Sequence, residues 1–221
     1  FIADAHLDPR SGPTGRAARH DLLQFLGALE STAADLYLVG DIFDFWFEYP
    51  YPARVPHGDV LCALRSLSEA GTRLHFTGGN HDYWAGRKLA ELTGADVHRG
   101  AIEAAHHGLR LFVAHGDGLP DGDLGYRALK TIIRSHPAIA GFSVIPPRAG
   151  AAIARWASGL SEITEDRIER AIPPMLDFLS AKLSEGYDAV VVGHIHRQLV
   201  MRSEDGTGVI IGDWLGGRCV V

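Results

Sequence analysis

The chain of 221 residues is long enough to bury the core of one domain and short for two. Its composition, 46% hydrophobic and 22% charged, is typical of a globular protein. The net charge of −6 gives no general attraction to nucleic acid or anionic lipid, so we expect no nucleic-acid partner. The two cysteines favour a reducing, cytoplasmic compartment over a disulfide framework.

Short apolar runs alternate with helical patterns in the first half of the chain. Residues 1–3 resemble the interior of a strand, so we expect a few residues before Phe1 and predict no signal peptide here. A helix is predicted from Ala18, because apolar residues follow it at helical spacing. Two further strands, at 36–39 and 74–76, flank a helix around 60–67.

Hairpins are predicted in the second half of the chain, at 102–114 and 199–211, with a buried strand at 189–192 between them. The sequence also favours a last strand at 217–221. Together these elements predict an α/β layered architecture with a mixed sheet or two packed sheets. We expect a single domain over 1–221 and no transmembrane helix.

The segment between the two hairpins is mostly helical in pattern. It contains an apolar, broken stretch at 138–144 and a helix at 164–183 that we expect to be interrupted at Pro173 and Pro174. We predict that residues of about 120–185 form a helical cap beside the sheets. Such an insertion can act as a lid over a substrate, although it can also simply cover the flank of a sheet.

Polar side chains follow five of the predicted strands. In open α/β sheets, ligands bind in the crevice beyond the carboxyl ends of the strands. Each pair alone has an ordinary explanation, such as a Gly-Asp turn or an exposed loop. Five such strand ends in one chain favour a shared site, made of Asp4 and His6, Asp41 and Asp44, Asn80 and His81, His115, and His194 and His196.

The residue types at these positions indicate metal binding. Carboxylate, amide and imidazole ligands without cysteine suit Mn²⁺, Fe²⁺ or Zn²⁺ better than a cysteine-rich structural zinc site does. There are too many ligands for one ion. They fit two divalent ions about 3.5–4 Å apart with a bridging carboxylate, an arrangement that hydrolyses phosphate esters and anhydrides.

The ordered motifs resemble those of the calcineurin-like metallophosphoesterases. They are Asp4-x-His6, Gly40-Asp41-x-x-Asp44, Gly79-Asn80-His81-Asp82, His115 and Gly193-His194-x-His196. The resemblance implies a four-layer α/β/β/α sandwich with both ions at the strand ends. It assigns one ion to Asp4, His6, Asp41 and His196, and the other to Asp41, Asn80, His115 and His194.

The same resemblance implies roles in catalysis for two further residues. His81 would stabilise the transition state and protonate the leaving oxygen, and Asp44 would orient and charge His81. Asp82 and Asp117 have weaker claims, because a turn or a supporting contact is the commoner role for such residues.

Two stretches, 1–7 and 115–119, resemble the bacterial UDP-2,3-diacylglucosamine pyrophosphatases, as do Asp123 and Gly125-Tyr126. This implies hydrolysis of a UDP-sugar lipid to UMP and diacylglucosamine 1-phosphate in lipid A synthesis, with Mn²⁺, at the cytoplasmic face of the inner membrane. Asn80 and Asp123 would contact substrate. Because residues 159–165 lack the lysine of that group, Arg155, Arg167 and Arg170 are candidates for the phosphates.

Two alternatives remain open. One is a soluble calcineurin-like phosphodiesterase or nucleotide pyrophosphatase with another substrate, which would not need the apolar stretch at 138–144. The other is a non-catalytic binding scaffold of the same fold, whose expected signature is loss of ligands or of the histidine after Asn80. Because His81 and all seven expected ligands are present, the sequence favours an enzyme.

Overall fold

The computed structural model describes residues 1–51, 53–118, 130–160 and 164–221. The described helices are α1 (Pro13–Leu29), α2 (Gly58–Glu69), α3 (Arg87–Thr93), α4 (His136–Ser143), α5 (Pro147–Leu160), α6 (Glu165–Ser184) and α7 (Trp214–Gly217). The described strands are β1 (Asp35–Val39), β2 (Arg73–Thr77), β3 (Asp96–His98), β4 (Ile102–His106), β5 (Leu109–Ala114), β6 (Ala189–Val192), β7 (Leu199–Ser203) and β8 (Gly206–Ile210).

The strands form two sheets. The three-stranded sheet has the order β1-β2-β3 and is parallel throughout. The five-stranded sheet has the order β4-β5-β6-β8-β7, in which β5, β6 and β8 are parallel and the outer strands β4 and β7 are antiparallel to their neighbours. Both hairpins predicted from the sequence, β4–β5 and β7–β8, are therefore confirmed.

Three hydrophobic clusters define four layers. One packs α1 and α2 against the outer face of the three-stranded sheet, and a second packs α6 against the outer face of the five-stranded sheet. The third lies between the two sheets, where Tyr37 and Val39 meet Val113, Val191 and Val209. The predicted α/β/β/α sandwich is confirmed, and it places the carboxyl ends of β1, β2, β5 and β6 at one end of the inter-sheet space.

Two predicted strands are absent from the described residues. Residues 1–3 pair with β1 only through a single bridge, Ile2 to Leu38, because positive φ angles at Asp4 and His6 interrupt the ladder. The last strand predicted at 217–221 is also wrong, since α7 ends at Gly217 and the residues after it form no strand.

Helix α6 is continuous, so the interruption predicted at Pro173 and Pro174 is wrong. An interior proline typically costs a helix about 3 kcal/mol. Burial of Met175, Leu179 and Leu183 against the five-stranded sheet offsets that cost. The second half of α6 thus covers a sheet, whereas α4 has no buried residue. The stretch at 138–144, predicted as broken, lies largely within α4.

In the described part of the chain, no helix combines the length and the apolar character needed to span a membrane. Cys62 and Cys219 are both free thiols.

Candidate metal centre

The candidate ligands lie where strands end. Asp41 follows β1 by two residues, Asn80 follows β2 by three, His115 comes directly after β5, and His194 follows β6 by two. The carboxyl ends of parallel strands lie together at one edge of a sheet, which is why these separate motifs meet. The last pair, Asp4 and His6, follows the bridge between Ile2 and β1.

One group of donors consists of Asp4, His6 and His196. Nε2 of His6 lies 3.2 Å from Nε2 of His196, and Oδ1 of Asp4 lies 3.8 Å and 3.4 Å from these two nitrogens. Oδ2 of Asp4 accepts a hydrogen bond from the backbone N–H of His194 at 2.9 Å. That bond fixes the carboxylate and leaves Oδ1 facing the imidazoles.

The second group consists of Asp41, His115 and His194. Oδ2 of Asp41 lies 3.2 Å from Nε2 of His115 and 4.0 Å from Nε2 of His6. One carboxylate oxygen therefore lies between the two groups of donors. This is the position that a bridging ligand would take.

Three buried polar atoms among the described residues of the site have no hydrogen-bond partner: Oδ1 of Asp4, Oδ1 of Asn80 and Nε2 of His115. Nδ1 of His115 lies 2.9 Å from the carbonyl oxygen of Val39 and donates to it, which turns Nε2 toward Asp41. Either a proton or a cation must lie between Nε2 and the carboxylate. An unpaired buried polar atom costs about 1–3 kcal/mol. Divalent ions would supply partners for all three atoms, whereas a proton on His115 would leave Oδ1 of Asn80 unpaired.

The protonation states of most donors suit a cation. Burial lowers the pKa of His6 and of His194 to about 4, so both rings are neutral near pH 7. Burial opposes ionisation of Asp41, but the charge of His115 holds the pKa of that carboxyl well below its usual range. Neutral imidazoles and ionised carboxylates are the forms that bind divalent metals.

Two histidines behave differently in the absence of a cation. Burial favours their neutral forms, but the adjacent carboxylates outweigh it: Asp41 raises the pKa of His115, and Asp4 raises the pKa of His196. A proton therefore competes with a cation more strongly at these two rings than at His6 and His194.

The backbone is strained at the centre. Five of the nine non-glycine residues with positive φ in the described part of the chain are candidate ligands: Asp4, His6, Asp41, His194 and His196. Residues other than glycine rarely adopt a positive φ. Because positive φ angles cluster at the candidate ligands, the surrounding hydrogen bonds must hold these loops in a conformation that serves the site.

The glycines that precede the ligands permit close approach. A Cβ on Gly40 would lie 2.5 Å from Nδ1 of His115, and one on Gly79 would collide with the carboxylate of Asp41. A Cβ on Gly193 would lie 2.8 Å from Oδ2 of Asp4. The Gly-Asp, Gly-Asn-His-Asp and Gly-His motifs thus contain glycine because ligands from other strands occupy that space.

Asp82, for which a turn or a supporting contact was expected, organises two ligand loops. Its buried carboxylate accepts backbone hydrogen bonds from Asp41, Ile42, Phe43 and Gly79, at 2.8–3.2 Å. Burial and the charge of Asp41 raise the pKa of Asp82 to about 6, although the four amide donors favour its ionised form. The adjacent Asn80 loop and Asp41 loop are held together by this one side chain.

His81 lies at the edge of the centre. Its backbone N–H donates to Oδ1 of Asp41 at 2.8 Å, and its ring packs edge-on against His6 with 4.7 Å between centroids. Nδ1 donates to the backbone carbonyl of Asp44 at 2.9 Å, and the Asp44 carboxylate is 3.7 Å from that nitrogen. Asp44 therefore orients the ring mainly through its backbone oxygen.

A basic pair behind the centre was not anticipated. Arg134 and Lys130 both contact the carboxylate of Asp117, at 2.9 Å and 2.8 Å. The Arg134 guanidinium also stacks 3.7 Å over the ring of Tyr83 and donates to the carbonyl of Gly79. No sequence motif marks this contact, because Arg134 comes from the remote helical segment.

A groove of about 1100 Å³ opens beside Asp44. Its lining includes aromatic side chains from residues 45–49 and residues of α5. Its charged residues are mostly basic, with Asp8 and Asp44 as the acidic ones. The basic residues are Arg10, Arg16, Arg19, Arg54, Lys88, Arg148 and Arg155. Asp123, predicted to contact substrate, lies outside the described residues.

No protein-family model matches the chain. The UDP-2,3-diacylglucosamine hydrolase of Haemophilus ducreyi is 29% identical over 225 residues, which cover 99% of this chain and 92% of that protein. A protein of the same name from Stenotrophomonas maltophilia is 28% identical over 229 residues, 97% of this chain and 90% of that protein. For a third, from Porphyromonas gingivalis, identity is 37% over 119 residues, 53% of this chain and 45% of that protein.

A solved archaeal phosphodiesterase aligns with 98% of this chain and 84% of its own, with a TM-score of 0.46 and 12% identity. The similarities to the proteins from Haemophilus ducreyi and Stenotrophomonas maltophilia cover nearly the whole chain. They confirm the predicted resemblance of this chain to the UDP-2,3-diacylglucosamine hydrolases.

Proposed function

We propose that this protein is a binuclear-metal hydrolase that cleaves the pyrophosphate bond of UDP-2,3-diacylglucosamine, giving UMP and diacylglucosamine 1-phosphate for lipid A synthesis. The observation that carries the proposal is the pair of His/carboxylate groups with an Asp41 oxygen between them, together with buried donor atoms that lack partners. The names and near full-length similarity of the relatives support the choice of substrate.

Each ion would have four ligands. Asp4, His6, Asp41 and His196 would hold one, and Asp41, Asn80, His115 and His194 the other. We propose Mn²⁺ as the native metal, with Fe²⁺ or Zn²⁺ as alternatives that the same oxygen and nitrogen donors accept. The chemistry that two bound divalent ions supply is activation of water near neutral pH and neutralisation of the phosphoryl oxygens.

His81 would act as the general acid. Its Nδ1 is anchored to the Asp44 carbonyl, which leaves Nε2 as the nitrogen that can reach substrate. In the protonated ring, Nε2 would donate a proton to the leaving oxygen, and the Asp44 carboxylate 3.7 Å from Nδ1 would stabilise the positive charge. His81 also belongs to a group of possible metal ligands with His6 and Asp41. Measurement of the metal content of a His81 variant therefore distinguishes a general acid from an additional ligand.

The groove beside Asp44 would hold the substrate. Its aromatic wall, with Phe45, Trp46, Phe47 and Tyr49, suits acyl chains and the sugar ring, and its basic residues suit the two phosphates. Arg155 contributes from the cap side. We assign contacts with the substrate near the reacting phosphate to Asn80, and we retain Asp123 as a further substrate residue on the strength of the sequence resemblance alone.

We also propose peripheral contact with the cytoplasmic face of the inner membrane, where such a lipid resides. Apolar side chains of the cap region are exposed: Val144 by 79%, Trp156 by 68% and Ile132 by 63%. Arg148 and Arg155 lie in the same region and suit an anionic lipid surface. A cap that faces the bilayer could take its substrate directly from the lipid phase.

Mass spectrometry of the products from UDP-2,3-diacylglucosamine tests the proposal. Mn²⁺-dependent release of UMP and diacylglucosamine 1-phosphate is expected. Inertness toward this lipid together with hydrolysis of bis-p-nitrophenyl phosphate would support the soluble phosphodiesterase alternative. If neither compound were hydrolysed with Mn²⁺, Zn²⁺, Fe²⁺ or Ni²⁺, a non-catalytic scaffold would be the better description.

A further inference from the structure

A second group of metal-ligating side chains lies on strands β2 and β3, upstream of the strand ends that carry the candidate centre. Side chains alternate in direction along a strand. Phe76 and Val97 point to the helical layer, where they pack in its core. Their sequence neighbours His75, Asp96 and His98 therefore project from the opposite face, toward the five-stranded sheet.

The pairing register brings these three side chains together. His75 pairs with Asp96 across the two parallel strands, and His98 lies two residues further along β3. One donor atom from each residue lies within 4.8 Å of the other two. Around a tetrahedral zinc ion with bonds of about 2.0–2.1 Å, donor atoms are about 3.4 Å apart, so small side-chain rotations would close the site.

His98 provides a second, independent observation. Its Nε2 is inaccessible to solvent and has no hydrogen-bond partner among the described residues. A buried ring nitrogen without a partner destabilises the fold relative to one that is hydrogen-bonded or coordinated. Coordination of a cation would supply that partner.

The surroundings favour positive charge. Oδ1 of Asp35 lies 3.0 Å from Nε2 of His75, and Arg73 contacts both oxygens of Asp35 at 2.7–2.8 Å. Arg73 balances one of the two carboxylates, Asp35 and Asp96, and one negative charge remains beside two imidazoles. A carboxylate hydrogen-bonded to a ligating histidine is also the common outer partner of metal sites.

We propose that His75, Asp96 and His98 form a third divalent-cation site, distinct from the centre around Asp41. Two imidazoles and a carboxylate suit a borderline ion such as Zn²⁺. The bound ion links β3, a three-residue strand at the edge of its sheet, to β2. Its role is structural, so hydrolysis does not depend on it.

The test is a count of zinc ions. Wild-type protein and the His75→Gln and His98→Gln variants are saturated with Zn²⁺, desalted and analysed by inductively coupled plasma mass spectrometry. Each variant should retain one ion fewer per chain than the wild type. Asp96→Asn, a change at an exposed position that keeps both rings, removes one proposed ligand and should also lower the zinc count.

Two controls separate this site from others. His107→Gln alters an exposed histidine in the β4–β5 turn and should leave the count unchanged. On an Asp41→Asn background, His98→Gln should still remove one ion, whether or not the Asp41 centre binds metal. Mn²⁺-dependent hydrolysis of bis-p-nitrophenyl phosphate by the single variants should stay within twofold of wild type. An unchanged zinc count in both histidine variants would overturn the proposal.

Discussion

The strand ends of the sandwich and the helices α4 and α5 of the proposed cap differ in how deeply their side chains are buried. At the strand ends, Asp4 and Asp41 are almost completely buried, and their loops are fixed by backbone hydrogen bonds. In contrast, α4 buries none of its residues, and Val144 and Trp156 are largely exposed. Chemistry that must position ions to within tenths of an ångström needs buried, rigid loops such as those at the strand ends. A large amphipathic substrate can be held by exposed helices such as α4 and α5. We therefore expect the sandwich to determine the reaction and the proposed cap to determine the substrate.

The largest effect should come from Asp41→Asn in the sandwich. The shared carboxylate loses its charge, so hydrolysis of both bis-p-nitrophenyl phosphate and the UDP-lipid should fall by roughly 10⁴-fold or more. Metal analysis should show loss of bound ions. Retention of both ions with normal turnover would contradict the assignment of Asp41 as the bridge.

A smaller loss is expected for His81→Ala, because the ions remain while the proton donor is removed. Turnover should decrease by roughly 10²–10⁴-fold for both substrates. The measurement is kcat together with metal content at saturating Mn²⁺. If His81→Ala loses as much metal as Asp41→Asn does, His81 is a ligand and not the general acid.

Arg155→Ala tests the proposed role of the cap in substrate binding. Because Arg155 lines the groove and is remote in sequence from the ligands, the KM for UDP-2,3-diacylglucosamine should rise roughly tenfold, as for loss of one charged hydrogen bond. Hydrolysis of bis-p-nitrophenyl phosphate should be unchanged. Arg202→Ala on β7, an exposed arginine that does not line this groove, is the matched control. Equal effects on both substrates would remove the distinction between sandwich and cap.

The last prediction concerns stability in acid, which we expect the sandwich to govern. Burial lowers the pKa of His57 to about 4, and Arg19 donates to its Nδ1 at 2.9 Å. The unfolded chain takes up a proton near pH 6.5 and the folded chain only near pH 4, so stability decreases as pH falls through this window. The loss attributable to His57 is at most about 3 kcal/mol.

Urea unfolding at pH 7.5 and pH 4.5 measures this loss. His57→Asn, which tolerates the positive φ of 64° at this position, should show a smaller decrease than wild type. An equal decrease in both proteins would show that His57 titrates normally in the folded state.

The strand-end motifs could be recognised in the sequence because each is local. A buried strand followed by Gly-Asp or Gly-His can be recognised without knowing its partners, as at Val39–Asp41 or Val192–His194. The short elements α3 and β3 were not predicted, since seven and three residues carry little periodicity. The contacts of Asp82 and Arg134 also escaped prediction, because they depend on which loops the fold brings together.

The glycines beside the ligands have a consequence for how inactive relatives could be recognised. A sequence with alanine at the position of Gly79 would keep every ligand and the proposed acid, yet its new methyl group would occupy space that the Asp41 carboxylate now fills. An inventory of coordinating residues would classify such a homologue as competent. Inspection of the glycines that precede the ligands would instead identify it as a protein in which the Asp41 carboxylate no longer fits its position.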